Sequence, residues 1–117
     1  MPPTSGGNAQ LWLLKCSGSN GHPLWSKQIG SGGNQFSEFF DETIDVSNNI
    51  YVAGTLPIGS GKFGCIKVDP DGTQGWVYSD VTGTARRICL EPGGNVILYG
   101  GSGSHWILSK IDATVWT

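Results

Sequence analysis

Two short patterns recur along this chain, and their spacing constrains the fold more than composition does. The stretch Asp45-Val46-Ser47-Asn48-Asn49-Ile50-Tyr51-Val52-Ala53-Gly54 returns as Glu91-Pro92-Gly93-Gly94-Asn95-Val96-Ile97-Leu98-Tyr99-Gly100. The offset is 46 residues, from Asn49 to Asn95 and from Gly54 to Gly100, without a gap. Each copy sets a turn of Ser, Asn and Gly before four β-favouring residues and a closing glycine. That order predicts a hairpin whose tight turn takes positive φ at Asn or Gly.

A second pattern occurs three times. Leu11-Trp12-Leu13-Leu14-Lys15 matches Phe63-Gly64-Cys65-Ile66-Lys67 and Trp106-Ile107-Leu108-Ser109-Lys110. A turn and then a tryptophan follow each lysine: Asn20-Gly21 before Trp25, Asp71-Gly72 before Trp76, and Asp112-Ala113 before Trp116. The patterns alternate, so five hairpins are expected, over about 11–28, 39–56, 62–79, 84–101 and 105–117. Residues 1–10 read as a flexible leader and 11–117 as one repeat domain. Helical periodicity is absent, and the glycine spacing leaves no window for a helix of useful length.

Two such hairpins make a four-stranded antiparallel sheet of ~40–50 residues, the size of one β-propeller blade. The predicted fold is all-β and β-propeller-like: about two four-stranded blades after a leading half-blade, or about ten strands. The apolar runs are nearly continuous, as expected when neighbouring blades cover both faces of a sheet. Propellers typically close with four or more blades, so this number does not complete a ring. Self-association, or membership of a larger propeller assembly, is the expected consequence.

Composition agrees. Glycine supplies 19 of 117 residues, and five Trp, four Phe and three Tyr set the chain apart from a disordered linker. A net charge of −2, with seven Lys and Arg scattered along the chain, makes no basic face for nucleic acid. No run approaches the ~20 apolar residues of a membrane helix. Residues 1–10 have neither the basic start nor the apolar stretch of a signal peptide. Cys16, Cys65 and Cys89 each lie in an apolar run, without metal-ligand spacing, and are expected to be small buried hydrophobes.

The run from Lys67 to Asp69, Gly72 and Trp76, and that from Gly30 through Asp41, Asp45 and Asn49 to Ile50-Tyr51-Val52-Ala53-Gly54, resemble bacterial β-propeller repeats of the SBBP type. The likeness covers roughly residues 11–116 and is best over 41–78. Asn48 departs from it where those repeats carry glycine, and Arg87 stands opposite Asp41, so the second copy lacks that acid. The resemblance implies a secreted or surface-associated scaffold with no uniform activity. A weaker likeness, through the Trp-rich hairpins, is to tectonin-type propeller lectins.

Each candidate site has a plainer structural reading beside it. Glu38, Asp41, Glu42 and Asp45 carry enough carboxylate for Ca²⁺, but strand alternation throws Asp41 and Glu42 to opposite faces. Asp69-Pro70-Asp71-Gly72 starts like a calcium loop, yet Asp-Gly after Pro is also what a hairpin turn uses. Asp41, Asp45, Asp69 and Asp71 are thus weak metal candidates. His22 and His105 have no nucleophile partner at a telling spacing, and the glycine-rich segments lack the Lys-Ser/Thr of a phosphate loop. No catalytic centre and no cofactor are implied. Trp25, Trp76 and Trp116 hold equivalent positions; with Asn49 and Asn95 they are the candidates for stacking on and hydrogen bonding a sugar. The leading function is therefore a non-enzymatic structural or interaction module, with a carbohydrate-binding lectin as the alternative.

Overall fold

The computed structural model describes residues 11–29, 38–56 and 61–112. Among these residues all regular structure is β, in nine strands and three antiparallel sheets. The first sheet pairs β1 (Leu11–Cys16) with β2 (Pro23–Ile29). The second runs in chain order through β3 (Glu38–Ile44), β4 (Ile50–Leu56), β5 (Lys62–Val68) and β6 (Gln74–Thr82). The third joins β7 (Thr84–Leu90), β8 (Val96–Ser102) and β9 (His105–Ile111). The tenth strand expected near 113–117 lies outside the described residues, as does the 1–10 leader.

Turn chemistry explains the tight hairpins. The amides of Asn48, Gly72 and Gly94 each donate to the carbonyl three residues earlier, on Asp45, Asp69 and Glu91. Those same three residues have positive φ (67°, 90° and 95°), so each loop is a three-residue connection ending in a left-handed residue. Asn48 is the non-glycine case, and asparagine is among the few residues that tolerate this region.

The sheets stack face to face, and alternation along each strand decides which side chains meet. We call the face toward the following sheet the front. From the front of the second sheet, Tyr51, Ala53, Phe63, Cys65 and Trp76 pack with Ala85, Ile88, Val96, Leu98 and Ile111 of the third. On its back, Val52, Leu56, Ile66 and Val68 pack with Leu13, while Trp25 lies against them. Covered on both faces, β4 and β5 hold the most buried side chains, and Phe63, Leu56 and Ile66 are fully enclosed. Replacing a core residue such as Phe63 by Ala costs about 3–5 kcal/mol. At Gly100 a Cβ would run into the Thr84 carbonyl oxygen beside the β7 bulge, so no larger residue fits there.

The continuous burial expected from sequence holds for β4 and β5 only; in β9, exposed and less exposed positions alternate. The cysteines need the same correction. Cys65 is buried, but Cys16 and Cys89 are exposed, because they lie on the back of the first sheet and the front of the third. No further sheet covers those faces among the described residues.

Candidate functional site

A concavity of about 770 Å³ opens where the turns of the second and third sheets approach each other. Asp45 and Asn49 enter it from the β3–β4 turn, Lys67 and Asp69 from β5 and its turn, and Glu91 and Gly94 from the β7–β8 turn. Tyr51 and Trp76 form its aromatic floor, with ring centroids 5.8 Å apart and planes tilted by 43°. Of the sequence candidates, Asp45, Asp69, Asn49 and Trp76 therefore come together here. Trp25, Asp41, Asp71 and Asn95 do not line this cleft, and Trp116 lies outside the described residues.

The Asp45 carboxylate is occupied by its own hairpin. Asp45 Oδ1 accepts from the Ser47 and Asn49 amides at 2.9 Å each. Its Oδ2 accepts from Asn49 Nδ2 at 3.0 Å and from the Tyr51 hydroxyl at 2.8 Å. Burial opposes the Asp45 charge, but the donors from Asn49, Tyr51 and Ser47 outweigh it and hold the carboxyl below the ordinary range. Tyr51 is pushed in the other direction, first by burial and then by its bond to that carboxylate, so its phenol keeps its proton.

The second copy repeats the device with different letters. Asn95 Nδ2 donates to Glu91 Oε1 at 2.6 Å, and Lys110 Nζ takes the place of the tyrosine hydroxyl at 2.8 Å. Lys110 first, and Asn95 second, lower the Glu91 pKa. Both candidate asparagines thus brace hairpins through their amide groups. The local signal was present in the sequence: an acid four residues before the asparagine in each copy.

Trp25 and Trp76 are likewise drawn into joints between sheets. Trp25 Nε1 donates to the Pro70 carbonyl at 3.0 Å, and Lys15 Nζ reaches the same oxygen at 3.0 Å. This places the repeat lysine and tryptophan of the first sheet on the turn of the second. Trp76 is only 5% exposed, which leaves its faces committed to protein packing. Among the described residues the most exposed indole is Trp106, at 89%. Sequence reading grouped it with Trp12 as a repeat position but did not single it out.

Asp41 and Asp71 have separate partners. Asp71 Oδ1 caps the Thr73 amide at 3.0 Å, and that bond is the main cause of its lowered pKa. Asp41 Oδ2 crosses from the second sheet to the third and accepts the Ile88 amide at 3.0 Å. Among the described residues no three His, Cys, Asp or Glu side chains converge as a metal site needs. Cys65 is the buried thiol, and burial raises its pKa far above the usual range, which keeps it in the un-nucleophilic form. His22 and His105 are both exposed, the first at a turn and the second at the start of β9.

No protein-family model and no curated protein matches this chain.

Proposed function

We propose that this chain is a non-enzymatic scaffold of β-propeller type, built from SBBP-like repeats, that works by joining sheet to sheet, either with copies of itself or with further blades of a larger assembly. The carrying observation is that one set of repeat positions makes both joints. Leu13 and Trp25 meet the back of the second sheet as Cys65 and Trp76 meet the back of the third. A module whose joints are equivalent is suited to extension, because each new sheet meets the surface that the last one met. Asp45, Asp71 and Glu91 serve the hairpins that carry these joints, holding Asn49, Thr73 and Asn95.

Sedimentation velocity on the chain across the micromolar range tests the proposal. Concentration-dependent species larger than the 12.4 kDa monomer are expected. A single monomeric boundary at every concentration overturns the self-associating form of this reading.

A further inference from the structure

The repeat identifies what the two ends of the stack are shaped to meet. On the front of the second sheet Phe63 and Cys65 are both 0% exposed, covered by the third sheet. Their counterparts one repeat later are Trp106 and Leu108, which stand 89% and 75% exposed. The 46-residue offset of the other pattern carries buried Ala53 to Tyr99, which is 45% exposed. At the other end Ile66 and Val68, fully buried on the back of β5, correspond to Leu14 and Cys16 on β1. Leu14 is 62% exposed and Cys16 is exposed, beside Trp12 and Leu24. Each end therefore presents one half of a joint that the molecule already makes twice, and the missing half is at the opposite end.

We propose that a second copy of this chain docks head to tail: the back of its β1–β2 hairpin, carrying Trp12, Leu14 and Leu24, seats on the front of β8–β9, carrying Tyr99, Trp106 and Leu108. The inference rests on the scaffold reading and names its surface and partner. A two-stranded hairpin is enough for such a joint, because β1–β2 already packs on the second sheet through Leu13 and Trp25. Trp12, Tyr99 and Trp106, with Leu14, Leu24 and Leu108 beside them, are of the large side-chain types that anchor protein interfaces. A net charge of −2 puts little repulsion between copies. Front meets back, so the contact is heterologous. Each addition leaves a fresh pair of ends, and the product is a ring or a filament instead of a dimer that stops.

Two double variants test this by sedimentation velocity: a front variant, Trp106→Ser with Leu108→Ser, and a back variant, Leu14→Ser with Leu24→Ser. All four positions are exposed, and far-UV circular dichroism checks that each variant folds. Each variant alone is expected to associate about 30-fold more weakly than the native chain. Mixed together, they are expected to form a one-to-one complex that grows no further, because one intact front remains for one intact back. In the native chain, Cys16 is expected to lose reactivity toward maleimide as association proceeds, while Cys65 stays unreactive throughout.

Native chain that associates while both variants associate equally well overturns head-to-tail docking and leaves the scaffold reading standing. Variants that fail alone and also fail when mixed overturn it too, as does a Cys16 that reacts at one rate whatever the concentration. A native chain that never associates removes the self-associating reading itself, and the docking with it.

Discussion

Replacing Asp41 by alanine isolates a side-chain bond that ties β3, an edge strand of the second sheet, to the backbone of the third. Asp41 Oδ2 accepts the Ile88 amide at 3.0 Å, and the Ile88 side chain beside that amide is 6% exposed. Without the carboxylate the amide loses its acceptor in a poorly hydrated position, which costs about 1–3 kcal/mol. We take about 2 kcal/mol. Asp41→Asn keeps a neutral acceptor, and since charge-assisted bonds are roughly twice as strong as neutral ones, it should lose about half as much. With urea m-values of about 1–3 kcal/mol per molar, the alanine variant unfolds about 0.7–2 M earlier than the native chain. Tryptophan fluorescence reads the midpoint, and hydrogen exchange at the Ile88 amide reads the bond itself. The expected order is native, then Asn, then Ala, with Ile88 exchange fastest in Ala. Equal midpoints for all three proteins, or Ile88 exchange unchanged in Asp41→Ala, would refute the assignment.

Asn48 holds a left-handed conformation, so Asn48→Gly should leave stability equal or slightly higher, whereas Asn48→Val should cost about 1–2 kcal/mol in the same urea assay. A valine as stable as asparagine would contradict the turn geometry. The lowered Asp45 pKa makes its contribution full above the unfolded carboxylate value of about 3.9, and that contribution fades as pH falls through the lower folded value. The stability gap between the native chain and Asp45→Ala should therefore be widest near neutrality and narrow as the solution is acidified; a gap independent of pH would contradict it.

The strands and turns were legible because their signals are local. Asn-Gly, Asp-Gly and Asn-Asn sit between apolar runs, and the 46-residue return of one hairpin fixed how strands alternate. What the sequence did not disclose depends on where the stack ends. Cys16, Cys65 and Cys89 sit in similar apolar runs, yet only Cys65 lies in a sheet covered on both faces. Trp106 and Phe63 share a repeat position and differ from 89% to 0% exposed for the same reason. Asp41 was hidden differently: its acceptor role toward Ile88 spans 47 residues and leaves no local pattern. Asn49 and Asn95 were read as available to a ligand, whereas the acid four residues before each already engages the amide.

Nuclear Overhauser contacts between sheets test the front-to-back stacking most directly. The account predicts contacts from the Trp25 indole proton to the Pro70 region and from Thr55 to Thr84, whose hydroxyl oxygens lie 2.9 Å apart. Both should appear beside the cross-strand contacts within each sheet. If those signals are missing and β6 instead shows backbone pairing with β7, the strands form one continuous sheet, and stacking by equivalent faces is contradicted.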